Sequence, residues 1–130
     1  MSQLEEHISS ILKAEQITHT REFQFRDLRQ GLYRFDFYIP STNTCIEVNG
    51  VQHYIYSSHF YNSKSDFSKA QERDRRKIAY CLAHNIRLYI IPYWDIEHIH
   101  TSSDIFQEKY LAHSKFHNDE TYRSQKTKLS

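Results

Sequence analysis

Two short alternating stretches, separated by four turn-forming residues, constrain this chain more than any other feature. Tyr33, Phe35, Phe37 and Ile39 alternate with Arg34, Asp36 and Tyr38. After Pro40-Ser41-Thr42-Asn43, Ile46 and Val48 alternate with Cys45, Glu47 and Asn49. Period-two spacing of apolar residues marks extended chain with one face on a core. The segment therefore predicts a hairpin with one apolar and one polar face. Pairing Ile39 with Thr44 across the loop puts Asp36 opposite Glu47 and Arg34 opposite Asn49. Opposed residues on one face have Cβ atoms about 5 Å apart. Two carboxylates so placed repel unless something positive sits between them. The register thus points to a metal site.

The flanking sequence supplies the partners for that hairpin. Leu4, Ile8, Ile11 and Leu12 form a helical stripe over residues 4–13, with Glu5 on its edge. Glu22 to Phe25 reads as a short strand. Gly50 follows the second hairpin strand, and a glycine there lets the chain turn sharply away. Residues 51–65 lack a clear period and read as a polar, aromatic-rich loop of the kind that carries binding groups. A long helix is expected over residues 66–84. Phe67, Ala70, Ile78 and Cys81 share one stripe with Asp74, and Lys69, Glu72, Arg73, Arg75 and Arg76 lie outside it. A carboxylate on an apolar stripe is costly unless paired, so Asp74 calls for a basic partner such as Arg34 or for a catalytic role. Residues 87–91 are almost continuously apolar, as in a strand covered on both faces. Ser103-Asp104 is expected to cap a last helix running to about His113.

The expected fold class is α/β with mixed α+β character: a small mixed sheet with a central hairpin, flanked by helices. The length of 130 residues suits one domain. Its expected span is residues 1–117, with 118–130 as a polar tail. Aromatic residues make up 15 % of the chain and compensate for a hydrophobic fraction of 38 %. Seventeen Lys or Arg against sixteen Asp or Glu leave a net charge of +1, so nucleic-acid binding would need a local basic face. Cys45 and Cys81 lack the close spacing of a zinc knuckle. No apolar run approaches twenty residues and no signal-peptide pattern is present, so a cytoplasmic location without membrane contact is expected.

A hard divalent cation takes oxygen ligands, and Mg²⁺ keeps several waters. Asp36, Glu47 and the carbonyl of Val48 are the expected ligands, with Mn²⁺ as an alternative ion. Such an ion would polarise a phosphate and lower the pKa of a bound water. Gln52 or His53 would orient that water, and His53 could take its proton. Arg34, Arg73, Arg76 and Lys77 are candidate contacts to DNA phosphates, against the plainer reading of a solvated helix face.

Tyr33-Arg-Phe-Asp-Phe-Tyr-Ile-Pro40 followed by Cys45-Ile-Glu-Val-Asn-Gly-Val-Gln-His-Tyr54 resembles the PD-(D/E)XK nuclease superfamily. The closest likeness is to small phage and bacterial members with very-short-patch-repair-like, restriction-endonuclease-like folds. Asp74-Arg-Arg-Lys-Ile-Ala-Tyr-Cys81 and Ile86-Arg-Leu-Tyr-Ile-Ile-Pro92 resemble that group's following helix and strand. The likeness implies a Mg²⁺- or Mn²⁺-dependent endonuclease acting on DNA. Asp36 and Glu47 would be the metal carboxylates, and Glu5 (or its neighbour Glu6) the first-helix glutamate. Gln52 and His53 would be the polar pair after the turn. Asn49 stands where many members carry a catalytic lysine. It can coordinate through its carbonyl oxygen but brings no positive charge; Lys64 or Lys77 could supply one from elsewhere. The alternatives are a weak or inactive DNA- or protein-binding module on a nuclease fold, or a structural protein that retains the hairpin. A homodimer would offer two centres for two DNA strands.

Overall fold

The computed structural model describes residues 2–28 and 33–112. The first helix, α1 (Gln3–Ala14), starts from a reciprocal cap. Ser2 Oγ accepts from the Glu5 backbone N–H at 3.1 Å, and Glu5 Oε2 accepts from the Ser2 backbone N–H at 3.1 Å. The cap orders the helix and also immobilises the Glu5 carboxylate. Ile8, Ile11 and Leu12 are buried beneath the helix as the stripe predicts.

Strands β1 (Thr20–Phe23), β2 (Phe35–Ile39), β3 (Thr44–Asn49) and β4 (Arg87–Pro92) form one sheet in that order. The hairpin takes the expected register, with Ile39 opposite Thr44 and Phe37 opposite Ile46. Its turn is a single 3₁₀ turn over Pro40–Thr42, closed by Asn43 in the left-handed region at φ 52°. β1 pairs antiparallel with β2, whereas β4 runs parallel to β3. The parallel pair needs a crossover, which α2 (Lys64–Ala83) provides. The result is a mixed sheet flanked by helices.

The hairpin's polar face is not a wet face. Cys45, Glu47 and Asn49 are all buried. Alternation signals two-sidedness, but α2 covers the side expected to face solvent. Ile8, Leu12, Phe37, Ile46 and Ile91 pack on the α1 side. Phe35, Cys45, Ile78, Cys81 and Leu88 pack on the α2 side. β4 is covered on both faces, as its composition implies, yet it lies at the sheet's edge. Its outer side is protected by a bridge from Tyr89 to Leu111 and a 2.8 Å bond from Ala112 N–H to the Leu88 carbonyl. That extended pairing also explains why the last helix is short. α3 covers only Ser102–Ile105, capped by Thr101 with Asp104, and a 3₁₀ turn follows over Glu108–Tyr110. A helix continuing to His113 would have removed Leu111 and Ala112 from β4. The expected tail from residue 118 lies outside the described residues.

One irregularity shapes the site. Phe35 and Phe37 share parity, but they pack on opposite faces of the sheet. The same happens one strand over: Arg21 sits over the Phe37 ring and pairs with Glu6 of α1, whereas Phe23 stacks on Tyr38. The alternation therefore breaks at Asp36 and Glu22. Glu22 lies at φ 52°, a left-handed value that costs a non-glycine residue about 1 kcal/mol. Gly50 serves differently from expectation. Its backbone is extended, and the glycine leaves room for the end of the Gln52 side chain, whose Oε1 would lie 2.5 Å from a Cβ there.

Candidate metal centre

Glu22, Asp36 and Glu47 follow one another across three adjacent strands. The β1–β2 register, carried through the irregular position, opposes Glu22 to Asp36, and the β2–β3 register opposes Asp36 to Glu47. α1 adds Glu5 from the side. Carboxylate oxygens of Glu5, Glu22 and Asp36 lie within 4.8 Å of one another. Two oxygens held on opposite sides of a Mg²⁺ ion would be separated by about 4.2 Å, so the spacing suits one divalent cation.

The electrostatics of Asp36 and Glu5 match that use. The Val48 backbone N–H donates to Asp36 Oδ2 at 2.7 Å. Burial first, and the Glu47 charge second, push the Asp36 carboxyl up to about 10. Glu5 moves the other way. Burial opposes its ionisation, but hydrogen bonds from the Ser2 backbone, from Asp36 and from the Ser2 hydroxyl, with Arg21 nearby, hold it below the usual carboxylate range. Asp36 thus keeps a proton and shares it with an ionised Glu5. That proton occupies the place a cation would take, and a cation would displace it.

Glu47 opens onto the same cleft but has a partner of its own. Lys77 Nζ donates to Glu47 Oε1 at 2.7 Å, and only 14 % and 10 % of the two side chains are exposed. Burial disfavours the Lys77 charge, yet the Glu47 carboxylate outweighs it and raises the lysine above its ordinary value. The cleft has a volume of about 340 Å³, and Glu5, Asp36, Glu47, Gln52, His53 and Lys77 are among its walls. Val48 and Gly50 line it as well. His53 ends the 3₁₀ turn Val51–His53, and its Nδ1 lies 3.0 Å from Asp74 Oδ2. Asn49 is buried, with its side-chain amide against the buried Tyr54.

Of the expected site residues, Asp36, Glu5, Glu47, Val48, Gln52 and His53 meet at this cleft. Asn49 lies just beneath, in a small enclosed space shared with Glu47, Asp74 and Lys77. The basic residues divide. Arg34 is exposed, Arg73 is half-buried, and Arg76 donates to the Tyr33 hydroxyl at 3.1 Å while pairing with Glu72. Lys77 turns inward. Its signal was present in the sequence, since Asp74, Lys77, Ile78 and Cys81 follow the 3-4-7 spacing of one helix face. Asp74 meets His53 there, not Arg34. Glu22 went unassigned because its place depends on which strand pairs with β2, and local periodicity carries no such information.

The arrangement defines a class of protein: a small mixed α/β sheet flanked by helices, with a carboxylate triad able to hold a divalent cation. Comparison with known sequences finds relatives of part of the chain. It is 38 % identical over 58 residues to uncharacterized protein 307L of Invertebrate iridescent virus 6, a match covering 45 % of this chain and 29 % of the viral protein. It is 42 % identical over 59 residues to uncharacterized protein 094L of Frog virus 3, covering 45 % of this chain and 38 % of that protein. The likeness thus spans well under half the length of either relative. No family profile matches the chain. Among the described residues, no helix is long and apolar enough to cross a membrane.

Proposed function

We propose that this protein is a metal-dependent endonuclease that hydrolyses DNA phosphodiester bonds, on a restriction-endonuclease-like variant of the mixed sheet. The observation that carries the reading is the presence of a buried lysine beside the acids of a single cleft: Lys77 Nζ at 2.7 Å from Glu47, with Asp36 on the same walls. A cluster of carboxylates alone is common on protein surfaces. Carboxylates joined by a desolvated ammonium and an imidazole form the set that phosphodiester hydrolysis needs.

Glu5, Glu22 and Asp36 would hold the cation, with Glu47 and the Val48 carbonyl completing its shell. When bound, Mg²⁺ or Mn²⁺ would supply Lewis acidity and an activated water. Lys77 places positive charge where a phosphate oxygen gains negative charge. It restores from α2 the charge that Asn49 lacks on β3, which favours an enzyme over an inactive binding module. Gln52 and His53 are placed to orient the attacking water. Arg34 and Arg73 would position the DNA backbone, joined by Arg76 on leaving Tyr33 and Glu72.

The test pairs binding with turnover. Purified protein should cut one or more of a panel of duplex, nicked, flapped and branched DNAs in Mg²⁺ or Mn²⁺. Asp36→Ala and Glu47→Ala should each abolish cutting. Calorimetry should detect one divalent site in the wild type and none in Asp36→Ala. Full activity in either variant would refute the assigned site, and salt-dependent DNA binding without hydrolysis would favour the binding-module alternative.

A further inference from the structure

We propose that Asp74 is the positioning residue for His53: it fixes the neutral ring as the Nδ1–H form, so that Nε2 is the nitrogen left to accept a proton from what enters the cleft. The inference rests on the hydrolytic reading of the site and assigns a role to a residue that reading does not use.

Three observations meet here. First, Asp74 Oδ2 lies 3.0 Å from His53 Nδ1, and only 17 % and 27 % of the two side chains are exposed. A carboxylate oxygen only accepts at neutral pH, so the nitrogen facing it carries the hydrogen. Which ring nitrogen is protonated is set by the bond the other makes. Second, the backbone that carries His53 is braced. The His53 N–H donates to the Gly50 carbonyl at 3.1 Å, and the Tyr61 hydroxyl donates to the Gln52 carbonyl at 3.0 Å. The remaining freedom is rotation of the ring, and the contact with Asp74 restrains it. Third, α2 delivers Asp74 and Lys77 from the same face, three residues apart. One helix therefore places the cation on Glu47 and orients the imidazole, with the four side chains around one end of β3.

The consequence is a directed proton path. The oxygen of a water forms the new bond to phosphorus and its proton passes to His53 Nε2. The ester P–O bond breaks, and the departing oxygen takes a proton from solvent. His53⁺ is then stabilised by Asp74 and returns its proton to solvent. An Nε2–H ring could do none of this, because it would present a hydrogen where an acceptor is needed.

The test reads the ring directly. Long-range ¹H–¹⁵N spectra of the full chain, followed upward in pH until the ring signals stop changing, report which nitrogen bears the hydrogen. The His53 signals are identified by their loss in His53→Gln. Wild type should show the Nδ1–H form. Asp74→Ala should revert to the mixture of ring forms seen in a free imidazole. If Asp74→Ala does not fold, Asp74→Asn carries the test, because its amide can accept from or donate to Nδ1 and the single form must give way to two. In cleavage assays the Asp74 variants should lose about 10- to 100-fold in kcat, with KM and Mn²⁺ affinity within about threefold of wild type. An Nε2–H ring in the wild type, or an unchanged ring form in Asp74→Ala or Asp74→Asn, would overturn the assignment. Failure of the hydrolytic reading looks different: no variant cuts DNA, yet the ring form still switches.

Discussion

Replacing Asp36 with asparagine should make the metal-free protein more stable, and increasingly so as pH rises. The protonated Asp36 makes two bonds: it accepts from the Val48 N–H at 2.7 Å and shares its hydrogen with Glu5. An asparagine reproduces both, accepting through Oδ1 and donating through Nδ2. It does so without a proton that can be lost. In the unfolded chain Asp36 ionises near the ordinary value of about 3.9, whereas in the fold it is held up to about 10. Its contribution is fully present below the unfolded value. It declines as pH rises, because the unfolded state then releases a proton that the native state keeps, and it is exhausted above the folded value. One uncompensated proton corresponds to about 1.4 kcal/mol per pH unit. Between pH 6 and pH 8 the ceiling is therefore about 2.7 kcal/mol. Since Glu5 and Glu47 share the site, the advantage of Asp36→Asn is expected to grow by about 1–2.5 kcal/mol across that interval. Urea unfolding followed by circular dichroism from pH 5 to pH 9, in chelator, measures it. Adding Mg²⁺ should narrow the gap. Wild type gains about 2.7 kcal/mol at a hundredfold excess over Kd, and the variant gains nothing. Parallel pH curves for the two proteins would refute the shared-proton account, as would a pH-independent loss of stability in the variant.

Three other substitutions test separate parts of the site. Lys77→Met strands the carboxylate of Glu47, a side chain only 10 % exposed, so it should cost about 3–5 kcal/mol in urea unfolding. Most of that should return in Lys77→Met with Glu47→Leu, and a single-variant loss under about 1 kcal/mol would mean the pair is solvated. Glu22→Gly should act in opposite directions. Relief of the left-handed φ of 52° is expected to stabilise the fold by about 0.5–1 kcal/mol, raising the melting temperature by a few degrees, while calorimetry shows weaker Mn²⁺ binding. Gly50→Ala should cost less than about 1 kcal/mol, because the atom it meets at 2.5 Å is the movable end of Gln52. Its effect should appear in a crystal structure of the variant as a displaced Gln52 amide.

Local chemistry determined a good deal of this protein. Period-two apolar spacing and a four-residue loop set the hairpin and its register, and so set Asp36 against Glu47. Helical spacing marked α1, the inner face of α2 and the odd presence of Asp74 upon it. These signals are short-range, since neighbours in sequence are neighbours in space within a single strand or helix. The tertiary structure decided the rest. It paired β1 with β2, which brought Glu22 to Asp36, and it broke the alternation of both strands at those two residues. It folded α2 over the hairpin's polar side, which buried Glu47 and Asn49, brought Lys77 to the acids and gave Asp74 a histidine for a partner. It placed β4 at an edge, where Leu111 and Ala112 join it and shorten the last helix. Each of these outcomes depends on contacts between residues far apart in the chain, whose energies are settled only when competing elements pack together. One acid of the triad, Asp36, was therefore legible in the hairpin, whereas the side chains around the cleft meet only because α1, β2, β3, the Val51–His53 turn and α2 converge on one end of the sheet.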